Sequence, residues 1–242
     1  MNDTCPKCGH VRMPGDESCG RCGVIFARIH GQSQQGEVTP EGVSPLRNGS
    51  VPALSSVPAE RNLPLTAVKV LFLLALALYG LRLAIPPIAS NAAGESFLHL
   101  VNLPFHEAGH IFFTPFGRFL QILGGSLMQL IVPAVVAGTF IYQGRLYSAT
   151  VGLWWLGESL LDLAPYIDDA RAGQLMLLGG VTGSEVEDYH DWEGLLSRLG
   201  MMQYDHTLAR CALGVGVIIM LGAVGWGLWL AWREYSCGSN AT

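Results

Sequence analysis

Residues 97–142 read FLHLVNLPFHEAGHIFFTPFGRFLQILGGSLMQLIVPAVVAGTFIY, two long apolar segments joined at Gly117-Arg118. Each segment is long enough for the roughly 20 helical residues that cross a hydrocarbon core. The first of them places His106, Glu107 and His110 among Leu, Phe and Ile, where burying an unpartnered ionisable group costs several kcal/mol. The stretch therefore predicts a helical hairpin in a membrane and a partner that compensates the buried polar groups.

Apolar segments of this kind recur from residue 63 onward. Half of the 242 residues are hydrophobic and only 14% are charged, whereas soluble domains carry about 25% charged residues. We predict an all-α, multi-pass membrane protein whose membrane domain covers residues 63–235, with a tail at residues 236–242. The predicted transmembrane helices, about five in number, are residues 63–85, 97–117, 119–142, 147–167 and 208–232.

The first 30 residues carry a different pattern, two CxxC pairs separated by ten residues. Two such pairs can present four thiolates in the tetrahedral arrangement that structural zinc prefers. Residues 1–30 resemble a bacterial zinc ribbon, a small unit that folds only with its structural Zn²⁺. The four predicted ligands are Cys5, Cys8, Cys19 and Cys22.

Residues 31–62 are rich in Gly, Pro, Ser and Gln and lack periodicity, which predicts a flexible linker. Metal-binding thiols indicate a reducing compartment, and a modest Lys/Arg bias favours the same orientation. Both predict a cytoplasmic N-terminus, with the C-terminus outside after five crossings. We expect the membrane to be a bacterial inner membrane. The net charge of −5 comes mostly from residues 185–193 and predicts no nucleic-acid partner.

The motif His106-Glu107-Ala108-Gly109-His110 fits the HExxH pattern. On a helix, positions i and i+4 share one face, so both imidazoles can bind one Zn²⁺ while Glu107 faces its open position. There the carboxylate can act as a general base toward water that the metal activates. A second zinc ion in the membrane domain would therefore compensate the buried polar groups, and we predict a catalytic role for Glu107.

With this motif in an apolar segment, residues 97–235 resemble the site-2 protease family of intramembrane zinc metallopeptidases. The resemblance implies cleavage of the transmembrane or juxtamembrane segment of a client membrane protein. It also implies that an HExxH helix runs toward the cytoplasm, a second helix returns, and a third supplies an aspartate as third ligand. The zinc ribbon is then the candidate for docking a client or another protein partner.

The family motif for the third ligand, NxxPxxxxDG, is matched imperfectly by DLAPYIDDA at residues 162–170. The proline is present, but the family's asparagine is replaced by Asp162, and two aspartates follow the proline at shorter spacing. Asp169 comes closest to the family spacing and is the predicted third ligand. Asp168 is the second candidate and Asp162 the third.

Two further features leave alternatives open. The segment EVEDYHDWEGLL, residues 185–196, offers His190, with Asp191, as another candidate ligand, although a solvated cap before the last helix explains it as well. Gly124-Gly125 lies where the resemblance implies a glycine-containing extended insertion, whose edge could pair with an unwound client. Close helix packing is an equal explanation for this glycine pair.

Two other functions fit parts of the sequence. A non-catalytic membrane adaptor would use the same metal site structurally and recruit a partner through the zinc ribbon. Such a site is closed by four protein ligands, whereas a catalytic site keeps one position open. A metal transporter is disfavoured, because only one helix carries strong ligands and no chain of polar residues crosses the membrane.

Overall fold

The computed structural model describes residue 11 and residues 63–186 and 189–237. The chain divides into two compact units, Met1–Gly49 and Ser50–Thr242, and the described helices all belong to the second. The predicted zinc ribbon, apart from residue 11, lies outside the described residues. So do the predicted linker and the tail beyond residue 237.

All five predicted apolar segments form helices. The described residues form α1 (Leu63–Ala84), α2 (Phe97–Phe113), α3 (Arg118–Tyr142), α4 (Leu146–Asp168), α5 (Asp191–Leu199) and α6 (Asp205–Cys237), with short 3₁₀ turns at Ile88–Ser90, Thr114–Phe116 and Met202–Tyr204. The fold of this part is therefore all-α, as predicted.

Three of the described helices are long and apolar enough to cross a membrane, at Leu63–Ala84, Arg118–Tyr142 and Met202–Ser236. The helix α2 has only 17 residues. The helix α4 has 23 residues but carries Glu158 and Asp162, which lower its hydropathy. The chain is thus a membrane protein by its apolar helices, with three candidate spans among the described residues rather than the predicted five.

Short polar caps and left-handed residues set the helix boundaries around α2 and α5. The Ser96 side chain accepts a hydrogen bond from the backbone N–H of His99 at the start of α2. The turn between α2 and α3 needs Gly117, whose φ of 93° is unfavourable for other residues. His190 caps the start of α5, and Gly200 ends it with a φ of 65°.

The helix α4 forms the centre of the bundle, where it packs against α6, α3 and α1. Its side chains Trp154 and Leu161 are buried in a cluster with Met220 and Val224 of α6. A methyl group at Gly157 would lie 2.6 Å from the backbone oxygen of Gly216, so α4 and α6 approach almost backbone to backbone. This close packing holds α4 and α6 together at the centre of the bundle.

The start of α1, the start of α4 and the end of α6 meet at one end of the bundle. Lys69 Nζ lies 2.6 Å from a carboxylate oxygen of Glu234, and the Tyr147 hydroxyl donates to the backbone oxygen of Lys69 at 2.7 Å. At the opposite end, Arg171 pairs with Asp205, where α6 begins. Consequently α1 and α4 run in one direction, and α6 runs in the other.

The helix α2 does not run from one end of this bundle to the other. Near its start His99 contacts Asp162, and near its end Gly109 lies against Gly124. Both contacts are six residues, or about 9 Å, from the bundle end where α4 finishes and α3 begins. This differs from the predicted topology, in which residues 97–117 cross the membrane and the first and last helices leave on opposite sides.

Candidate metal site

Three side chains converge on one point between α2 and α5. His106 and His110 lie one helical turn apart on α2, as the HExxH spacing predicts, and their Nε2 atoms lie 3.0 and 3.2 Å from Oδ2 of Asp191. Their ligand atoms lie within 4.8 Å of one another. In the part of the chain that the structure describes, these three residues are the one group of His, Cys, Asp or Glu side chains that could hold a metal ion.

Hydrogen bonds on the far side of each imidazole determine which nitrogen faces this point. Nδ1 of His110 lies 2.9 Å from the backbone carbonyl oxygen of Gln121, which can only accept. Nδ1 of His106 lies 3.0 Å from Oε1 of Gln129. Both Nδ1 atoms therefore donate to these oxygens, which leaves both Nε2 atoms directed at the Asp191 carboxylate.

Two imidazole lone pairs and a carboxylate oxygen repel one another unless protons or a metal cation lie between them. Two His nitrogens and one carboxylate oxygen form a ligand set typical of catalytic zinc sites, which keep a fourth position for water or substrate. The residues present therefore fit Zn²⁺.

The absence of a side chain at Gly125 provides the space beside the two histidines. A methyl group there would lie 2.5 Å from Nε2 of His106 and 2.6 Å from Nε2 of His110. One residue earlier, a methyl group at Gly124 would lie 2.7 Å from the backbone oxygen of Gly109. The pair Gly124-Gly125 lies inside the continuous helix α3, so close packing explains it, and the expected extended insertion is not formed.

Glu107 lines the same cavity, whose volume is about 500 Å³. Among the described residues its carboxylate has no hydrogen-bond partner, in contrast to the carboxylate of Asp191. The cavity is also lined by Tyr166 and by the apolar residues 175–178. Glu107 is thus placed beside the three converging side chains, with its oxygens available for proton transfer.

Asp191 reaches the histidines because α5 folds back against α3. His190, the residue before it, is 1% exposed and its ring lies 4.3 Å from that of Tyr166. The backbone N–H of Asp191 donates to the Tyr166 hydroxyl at 2.9 Å. Without a metal, burial raises the pKa of Asp191, but hydrogen bonds that its carboxylate accepts from the Nε2 atoms of His106 and His110 outweigh this effect and lower the pKa to about 2. The carboxylate is therefore ionised at neutral pH.

The aspartates expected from the family motif are not brought to the histidines. Asp169, the predicted third ligand, accepts the backbone N–H groups of Gln174 and Leu175 at 2.9 and 2.8 Å. Asp168 pairs with His206 at 2.6 Å. Asp162 is not a member of the group either, and its carboxylate accepts hydrogen bonds from Asn102 and Gln129.

Asp191 takes the place that was expected for Asp169. His190, the alternative ligand, is not a member of the group, since its side chain caps α5 instead. Burial lowers the pKa of His190, which favours its neutral form. In the sequence, the feature that pointed to Asp191 was its position directly after His190 in a polar segment. This segment lies 85 residues from His106. The four cysteines predicted to bind the second zinc ion lie outside the described residues.

Comparison of the chain with protein families, curated proteins and solved structures found no match. A function for this chain must therefore be inferred from the geometry of the site.

Proposed function

We propose that the chain is an intramembrane zinc endopeptidase that cleaves the transmembrane or juxtamembrane segment of a client membrane protein. The observation that carries the proposal is the convergence of both HExxH histidines and Asp191 beside Glu107. Three ligands from the protein leave one position open, as in catalytic zinc sites. The adaptor alternative would need a fourth protein ligand, and the described residues offer none within this group.

In this proposal His106, His110 and Asp191 hold the metal. Zinc in such a site supplies Lewis acidity, which polarises a carbonyl group and acidifies water. Glu107 takes a proton from the attacking water and returns it to the leaving amine of the cleaved peptide bond. Both transfers need a carboxylate that is free of hydrogen bonds to the protein, as the Glu107 side chain is among the described residues.

The cavity walls favour an apolar peptide as substrate. Leu100 and Leu103 of α2 line the cavity together with Leu163 and residues 175–178. A client helix must unwind before its peptide bonds become accessible, because they are otherwise hydrogen-bonded within the helix. We propose that the N-terminal zinc ribbon, on the cytoplasmic side of a bacterial inner membrane, docks the client or a regulatory protein.

The test separates catalysis from metal binding. Glu107→Gln should abolish cleavage of a co-expressed single-span client while zinc remains bound, since the amide cannot accept the proton of water. His106→Ala should lose the zinc ion itself. Glu95→Gln makes the same chemical change on an exposed residue just before α2 and should leave cleavage unchanged.

The readouts are client fragments on an immunoblot and zinc per chain in the purified protein. Cleavage by Glu107→Gln at the rate of the wild type would refute the proposed chemistry. The adaptor alternative requires Glu107→Gln to be silent in any partner-recruitment assay, because a structural site needs no base.

A further inference from the structure

A buried cluster of polar side chains lies behind His106, on the side away from the metal site. Asp162 and Glu158 of α4 share it with Asn102 of α2 and Gln129 of α3, and all four are buried. None of them belongs to the group that could hold a metal ion. Burying two carboxylates is costly unless they are hydrogen-bonded, so each carboxylate in the cluster needs hydrogen-bond partners.

The hydrogen bonds of the cluster can be assigned from one fixed donor. The indole Nε1 of Trp155 can only donate, and it lies 2.8 Å from Oδ1 of Asn102. The amide nitrogen of Asn102 therefore faces the carboxylates, 3.0 Å from Oε2 of Glu158 and 3.1 Å from Oδ2 of Asp162. Oδ2 of Asp162 is thereby an acceptor.

The same oxygen then orients Gln129. Nε2 of Gln129 lies 2.9 Å from Oδ2 of Asp162, so the amide must direct its nitrogen toward Asp162 and its oxygen toward His106. The Gln129 oxygen accepts from Nδ1 of His106, which leaves the Nε2 lone pair of His106 directed at the metal site. A reversed amide would place its N–H₂ group against Nδ1 and move the imidazole proton to Nε2.

We infer that Asp162 is a positioning residue, which acts through Gln129 to hold His106 in the tautomer that binds metal. The inference rests on the proposed zinc site and adds a residue that the family motif does not assign. His110 needs no such support, because its Nδ1 donates to the backbone carbonyl of Gln121, which cannot reverse. The two histidines are thus held by different means.

A matched pair of substitutions on α3 tests the link from Gln129 to His106. Gln129→Met removes the acceptor and should weaken zinc binding 10–100-fold, the usual cost of losing a partner that orients a ligand. Gln143→Met makes the same change at the exposed C-cap of α3, away from the metal site, so zinc affinity should be unchanged. Affinity is measured by chelator competition on the full chain, with His106→Ala subtracted as the background of any other zinc site.

A second series tests whether Asp162 acts through Gln129. Asp162→Leu should weaken zinc binding as Gln129→Met does, and the double variant should be no weaker than either, because both changes break one chain of hydrogen bonds. Asp162→Asn keeps an oxygen that can accept from Gln129 and should restore most of the affinity. Additive losses, or equal losses in the Asn and Leu variants, would overturn the inference.

The tautomer itself is observable without any activity. In the zinc-loaded protein, ¹⁵N NMR of the histidines should show His106 bound through Nε2 and protonated at Nδ1, and Gln129→Met should weaken this state. Zinc bound through Nδ1 of His106 in the wild type, with the proton on Nε2, would overturn the inference even if Gln129→Met fails to fold. If His106→Ala retains all zinc, the metal site fails instead, so the two failures are distinguishable.

Discussion

Gly125→Ala should remove zinc from the membrane site by occupying the space in which the histidines converge. The new methyl group would lie 2.5 Å from Nε2 of His106, and ordinary contact begins near 3.4 Å, so this nitrogen must retreat by about 0.9 Å. Zinc–ligand distances vary by only about 0.2 Å in working sites. We therefore expect a loss in affinity of more than about 100-fold, beyond the usual cost of losing an orienting partner.

Gly138→Ala is the matched control on the same helix. A methyl group at Gly138 meets nothing within 4 Å, and alanine favours a helix over glycine by about 1 kcal/mol. This variant should therefore bind zinc as the wild type does and unfold at the same or a higher temperature.

The assay is zinc affinity by chelator competition, together with zinc per purified chain and helix content by circular dichroism. Gly125→Ala should keep its helices and lose one zinc ion. Wild-type zinc affinity in Gly125→Ala would show that the two Nε2 atoms do not converge beside α3 and would refute this arrangement of the site.

Three further results are expected. Asp191→Ala should lose the zinc ion of the membrane site, whereas Asp169→Ala should retain it, as zinc analysis of both variants will show. Cys5→Ala should lower the zinc content from two ions per chain to one without affecting client cleavage, and loss of both ions would contradict independent sites. An epitope inserted after Gly144 should label from the opposite side of the membrane to one inserted after Gly200, because these turns lie at opposite ends of the bundle. Labelling of both from one side would contradict the opposed directions of α4 and α6.

The helices were predictable because apolar length is a local property of the sequence. Residues 119–142 and 208–232 coincide with candidate spans, and the HExxH spacing alone places two histidines on one face of α2. The course of α2 was not predictable, because an apolar segment of about 17–20 residues fits both a full crossing and a helix that turns back within the bundle. Only contacts such as His99 with Asp162 distinguish the two.

The side chain that joins the two histidines could not be predicted from local patterns, for a different reason. Asp169 was favoured by its spacing from a proline, but its oxygens cap the backbone of the loop that follows α4. Asp191 meets His106 across 85 residues, and it does so because Tyr166 and His190 hold the start of α5 in place. Such a contact depends on how α5 packs, which hydropathy and spacing do not determine.

We propose above that His106, His110 and Asp191 together bind zinc. Anomalous diffraction at the zinc absorption edge, from crystals of the full chain saturated with zinc, tests it most directly. We predict a peak about 2.0–2.2 Å from Nε2 of both histidines and from a carboxylate oxygen of Asp191. A peak coordinated by Asp169 or His190 in place of Asp191, or no peak at the two histidines, would contradict the claim.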